Sequence, residues 1–147
     1  MKINQLSVFL ENEPGRLSAA CKALAAAGVN ILTLSLADTR QFGILRLVVR
    51  DWEKAKAALE QAGCVVKVTE VVAVEVADRP GGLADILGII DQGKVNIEYM
   101  YAFTFRCNDR AVLVFRFEQP DQAIQTLQAS GVNVIGPVEL YNRVEKV

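Results

Sequence analysis

The chain carries its own pattern twice. Leu6-Ser-Val-Phe-Leu-Glu-Asn-Glu-Pro-Gly-Arg-Leu17 returns as Val72-Ala-Val-Glu-Val-Ala-Asp-Arg-Pro-Gly-Gly-Leu83, and Val29-Asn30-Ile31 returns as Val95-Asn96-Ile97, all at an offset of 66 residues (96 minus 30). A unit this long holds several strands and helices, and two copies do not make a solenoid. Each copy is therefore expected to be a small domain, residues 1–69 and residues 70–147 of the 147-residue chain. A domain of that size buries only roughly 60% of the surface its unfolded chain exposes, so it gains by packing on its twin or on another chain.

Within each copy the hydrophobic period alternates between two and 3.6. Leu6, Val8 and Leu10 face one way and Gln5, Ser7 and Phe9 the other, as in a half-buried strand. Asn12-Glu13-Pro14-Gly15 then supplies a turn and a helix start, with Asn12 as an N-cap and Pro14 in the first helical turn. Leu17, Ala20, Cys21 and Leu24 follow at helical spacing up to Gly28. Strands over 30–38 and 42–50 joined by Thr39-Arg40-Gln41 predict a hairpin, with Leu45, Leu47 and Val49 on its inner face. A helix over 52–62 and a strand over 64–68 complete the copy.

The second copy repeats the order: a strand over 71–77, a helix over 81–92 with Leu83, Ile86, Leu87 and Ile90 inward, strands over 95–106 and 110–117, a helix over 120–130 and a strand over 132–135. Residues 138–144 align with 70–76, predicting a C-terminal tail strand added to a sheet edge. The fold class is α+β: two ferredoxin-like βαββαβ domains in tandem, each an antiparallel sheet with its helices on one face.

The charge balance is −1, with both signs interspersed, and offers no footprint for nucleic acid or an anionic membrane. No apolar run approaches the roughly 18 residues of a spanning helix, and the N-terminus opens directly into strand-like sequence, so a cytoplasmic protein is expected. Cys21, Cys64 and Cys107 stand 43 residues apart, a spacing that builds neither a disulfide framework nor a metal motif. No cofactor is expected.

The strand-to-helix loop is the candidate site. Glycine there lets a ligand approach the backbone, and the N–H groups opening the helix suit a carboxylate. Asn12 can donate or accept hydrogen bonds, whereas an ionised Asp78 only accepts. The alternative is that an Asx-Pro-Gly turn simply starts a helix. Asn30 and Asn96 carry the same two readings: a turn residue tolerant of left-handed backbone or a cap on the preceding helix, or an amide reaching a ligand across a domain interface. Tyr99, Tyr101, Phe103 and Phe105 at period two form a core or interface stripe, since the charge argues against base stacking. The chain has no His, no G-x-S-x-G and no Walker sequence. An acylphosphatase-like hydrolase would suit the fold, but its glycine-rich loop is not found.

Asn12-Glu13-Pro14-Gly15-Arg16-Leu17 with Gly28-Val29-Asn30-Ile31, and Asp78-Arg79-Pro80-Gly81-Gly82-Leu83 with Gly93-Lys94-Val95-Asn96-Ile97, resemble the ACT domain twice over. The resemblance is to stand-alone tandem ACT proteins without a catalytic domain. It implies a non-enzymatic regulatory protein that binds a free amino acid where paired ACT domains meet. Ligand contacts would come from Asn12, Pro14, Gly15, Arg16, Leu17, Asn30 and Ile31, and from Asp78, Pro80, Gly81, Gly82, Leu83, Asn96 and Ile97. Side-by-side pairing would bring Asn12 to Asn96, or Asp78 to Asn30, within the chain or in a homodimer. Where serine-binding relatives have a His, this chain has Leu10 and Val76, which points to a more apolar ligand. The implied partner is a separate enzyme of amino-acid metabolism; a ligand-free interaction subunit is the other reading.

Overall fold

A computed structural model describes residues 1–38, 40–104 and 109–145 of the protein. Thr39 of the predicted turn, Phe105 and Arg106 of the predicted strand end, and Cys107 lie outside the described residues. The elements run β1 (Ile3–Glu11), α1 (Arg16–Ala26), β2 (Ile31–Asp38), β3 (Phe42–Val49), α2 (Trp52–Gln61), β4 (Val65–Ala77), α3 (Gly82–Gln92), β5 (Ile97–Ala102), β6 (Arg110–Phe117), α4 (Pro120–Ala129), β7 (Val134–Ile135) and α5 (Pro137–Glu145). The fold class is as expected: βαββαβ twice, with antiparallel hairpins.

The chain divides into two compact units, residues 4–69 and residues 70–147 joined by 1–3. In the first, the strands lie in the order β4-β1-β3-β2. Leu6 pairs with Leu47 and Val8 with Leu45, which puts the predicted inner face of both strands on one side. There Leu6, Val8, Leu10, Leu45, Leu47 and Val49 close on Ala20 and Leu24 of α1 and on Ala55 and Leu59 of α2. The opposite face is not simply wetted: Gln5, Ser7, Thr33 and Val48 are buried on it. Gln5 donates to Ser7 Oγ at 3.2 Å and Ser7 Oγ meets Thr69 Oγ1 at 3.3 Å, so these polar atoms have partners there.

The second unit has the matching order β7-β4-β6-β5. Val72, Val74, Val76, Phe115 and Phe117 pack under Ile86 and Ile90 of α3 and Ala123 and Leu127 of α4. The Phe115 and Phe117 rings, two residues apart on one strand face, stack with centroids 5.3 Å apart. Lys2, from the N-terminal residues belonging to this unit, pairs with Asp121 at 3.1 Å and Glu70 at 3.4 Å, and these carboxylates raise its pKa.

Three corrections concern the elements and the faces they present. The strands expected over 64–68 and 71–77 are one, β4, which runs unbroken through residues 69 and 70. Leu83, expected inward, is 40% exposed, and its counterpart Leu17 is 37% exposed. They stand in the first turn of their helices, and the strand preceding that turn has already ended at Glu11 or Ala77.

The third correction is the C-terminal tail, which is a helix and not a strand. Pro137 occupies its first turn, Leu140 is fully buried, and Arg143 reaches back four residues to Glu139 at 2.6 Å. Arg143 also meets Glu75 of β4 at 2.6 Å, and that hydrogen bond is the main reason its pKa is raised. Both side chains are largely covered, 26% and 15% exposed. Arg143→Ala should therefore cost about 1–2 kcal/mol in urea unfolding, between an exposed ion pair and a broken buried one.

Candidate functional site

The two strand-to-helix loops are held by the same backbone hydrogen bonds, residue for residue. The N–H of Asn12 donates to Gln41 O at 3.1 Å, and that of Asp78 to Asp109 O at 2.9 Å, each tying the loop to the facing hairpin. Glu13 N–H donates to Glu11 O at 2.8 Å and Arg79 N–H to Ala77 O at 3.0 Å, which reverses the chain just after the strand. Gly15 and Gly81 then stand at the cap position with φ of 87° and 86°, a left-handed backbone that other residues adopt at a cost. Ala19 and Asp85 donate back to these glycines at 2.9 Å, starting α1 and α3.

The expected N-cap role of Asn12, and of Pro14 in the first helical turn, is therefore corrected. The helix begins at Arg16, and neither α1 nor α3 has a side-chain cap. The left-handed glycine is interposed between the Asx residue and the helix, so the Asx oxygen is not at capping distance. Asn12, Pro14, Gly15 and Arg16, like Asp78, Pro80 and Gly81, are exposed.

The loops differ in their ions. Arg16 pairs with Glu11 at 3.2 Å and Glu13 at 3.5 Å, and the first turn of α1 has no acidic residue. In the second loop Arg79 folds across to Asp85 in the first turn of α3, at 2.9 Å, and donates to Pro80 O at 3.1 Å. The N-terminal dipole of α1 is thus left without a carboxylate in its first turn, whereas that of α3 already has one.

Asn30 and Asn96 do not take the left-handed position expected for a turn residue. That falls two residues earlier, on Gly28 (φ 72°) and Lys94 (φ 54°). Val29 N–H and Val95 N–H close the preceding helices onto Leu24 O and Ile90 O, at 3.0 and 3.4 Å. The asparagines come after this closure, exposed, and Ile31 and Ile97 open the next strands half-buried. Asn96 O accepts from Glu118 N–H at 3.1 Å.

A family model for the ACT domain pair matches residues 1–142. The chain belongs to the ACT domain pair family. It is 38% identical to a Bacteroides thetaiotaomicron protein of known crystal structure, with 96% of each chain covered and a TM-score of 0.89. The regulatory subunits of aspartate kinase from Thermus thermophilus and Thermus flavus share the fold at 16% and 17% identity, with TM-scores of 0.61 and 0.59. These matches cover 86% of this chain and 91% and 90% of theirs. No curated protein sequence matches it.

Within one ACT module the two groups of candidate residues are kept apart. Glu11, beside Asn12, pairs with Phe42 at one end of β3, and Ile31, beside Asn30, pairs with Val49 at the other. Seven residues at about 3.3 Å each put them roughly 23 Å apart. The second ACT module does the same, with Ala77 opposite Arg110 and Ile97 opposite Phe117. A loop and a second-strand asparagine of one module therefore do not share one small ligand.

Sequence reasoning missed the hairpin carbonyls of Gln41 and Asp109 that anchor the loops, because main-chain acceptors leave no residue signature. Among the described residues no group of three or more His, Cys, Asp or Glu side chains is gathered for a metal, and no helix is long and apolar enough to cross a membrane.

Proposed function

We propose that this ACT pair is a regulatory protein without chemistry of its own, which binds a free amino acid between ACT modules and thereby controls a separate enzyme of amino-acid metabolism. The ligand carboxylate lies on the start of a helix, at Pro14–Leu17 or Pro80–Leu83, and its ammonium on the oxygen of Asn12 or Asp78. Asn30 or Asn96 of a facing module completes the site, with Ile31 or Ile97 beside it, in one chain or in a homodimer.

The observation carrying this reading is that both helix starts lack a side-chain cap while their Asx residues stand exposed beside them. Main-chain donors at a helix N-terminus and an adjacent polar oxygen suit the two ends of a zwitterion. The Thermus neighbours, as regulatory subunits of aspartate kinase, suggest the kind of enzyme partner. Control requires that the ligand favour one arrangement of modules over another.

Thermal unfolding against the twenty amino acids tests it: a ligand at about one hundred times its Kd adds about 2.7 kcal/mol. Asn12→Ala should weaken calorimetric binding of the hit by about tenfold or more, the loss of one hydrogen bond to a charged group. A flat panel sinks the sensor reading. It would favour the ligand-free interaction subunit, for which one observation speaks: Leu34 and Leu36 are half exposed along the edge strand β2.

A further inference from the structure

We infer that the outer face of the first module's sheet, away from α1 and α2, is a docking site for an amphipathic helix of a separate protein. That helix presents an acidic residue and, three residues later, an apolar one. The inference goes beyond the sensor reading and stands whether or not an amino acid binds.

The second module shows what such a face takes. Val74 and Val76 point into the core under α3 and α4, so Glu75 between them points to the opposite face. There Arg143 of α5 meets it at 2.6 Å. Leu140, three residues earlier and so on the same side of α5, is fully buried without belonging to the core under α3 and α4. A nine-residue helix thus lies on the outer face of the second sheet. One part of that face is a polar group, with Arg110 at 3.6 Å and Asn133 at 3.3 Å from Glu75. The next part, Ala73, Val114 and Ile135, is apolar and buried.

In the first module the same positions carry the opposite chemistry. By strand register Phe42, opposite Glu11, is the counterpart of Arg110, opposite Ala77; Phe9, opposite Ile44, is the counterpart of Glu75, opposite Val112. Val65 is the counterpart of Asn133. Phe9, Phe42 and Val65 line one hollow and are 41%, 49% and 67% exposed. Where the second module has the apolar Val114 and Ile135, the first has the half-buried Arg46 and the exposed Lys67. No helix follows the last strand of the first module, because β4 runs on into the second.

Clustered exposed aromatic and aliphatic side chains mark a protein contact, and covering them rewards an apolar residue where α5 presents Arg143. The two cations ask for a carboxylate where α5 presents Leu140. An amphipathic helix laid on an apolar surface is an established mode of recognition, here with its pattern set by two charges. The α5 helix of a second copy has the reverse pattern and is already seated on its own sheet.

The probe is a labelled peptide of residues 136–147 carrying Leu140→Glu and Arg143→Leu. A hydrocarbon staple joins positions 138 and 142, which are exposed in α5, because so short a peptide is otherwise barely helical. Fluorescence anisotropy against the full chain should give a Kd of about 10–100 μM, as suits an interface below standard size. The stapled peptide without the two substitutions should bind at least about tenfold more weakly. Phe42→Glu in the full chain, at an exposed position, should weaken the substituted peptide about tenfold or more. Val65→Glu should do the same and serves if Phe42→Glu fails to fold. If neither peptide binds, if both bind alike, or if the folded variants bind as the parent does, the docking site falls. Sedimentation of the parent and Phe42→Glu chains completes the test: a dimer that the substitution dissociates gives this face to a second copy and overturns the inference.

Discussion

Gly82→Ala is expected to destabilise the second module by about 3 kcal/mol or more, at the upper end of what overpacking costs. A Cβ at this position would lie 2.0 Å from the carbonyl oxygen of Ala77. Backbone has no rotamer to move into, so either the start of α3 or the end of β4 must shift. Gly88 in the same helix is the control, because a Cβ there meets nothing within 4 Å. Gly88→Ala should stabilise by about 1 kcal/mol, the helix-propensity difference between the two residues. Urea unfolding of the two variants separates them by sign. Equal effects would mean that α3 does not approach β4 as closely as the structure has it.

The same position bears on the site. Arg16 replaces Gly82 in the first module under an equivalent set of backbone hydrogen bonds. The start of α1 there accommodates a side chain, whose guanidinium turns back to Glu11 and Glu13. One small difference between the copies thus separates a helix start pressed onto its own strand from one that carries an ion-paired guanidinium.

Most of the fold was legible because it is written in periods. Leu6, Val8 and Leu10 alternate, Ala20 and Leu24 recur at helical spacing, and each pattern occurs twice, so one copy corrected accidents in the other. Gly28 and Gly63, which end helices in the sequence, do so in the structure with φ of 72° and 88°. The loops were legible as places and not as geometries. An Asx residue three before Gly15 looks like a cap, but a left-handed glycine moves the helix start beyond its reach, and no composition rule signals that step. Asn30 and Asn96 were visible as a repeated pair. That each lies at the far end of its own sheet from the loop follows only from strand register.

The tail shows how a repeat misleads. Residues 138–144 align with 70–76, and Val138, Leu140 and Val144 fit an alternating strand if Asn142 is ignored. Leu140, Tyr141 and Val144 fit a helical stripe equally well, and Pro137 starts a helix better than it continues a sheet. The two arrangements predict different sensitivities. In a strand Val138 and Leu140 would share a face and respond alike; in the helix Val138 is 75% exposed and Leu140 is 0% exposed. Leu140→Ala should therefore cost about 3 kcal/mol, within the range for truncating a buried leucine, and Val138→Ala less than about 0.5 kcal/mol. Chemical denaturation of both variants decides the matter, and similar losses would return the tail to the sheet. The helical outcome has a further consequence for Glu75 of β4. Arg143 reaches Glu75 from α5, so a Leu140→Ala variant that loosens the helix should also weaken that ion pair and leave Glu75 to Asn133 and Arg110.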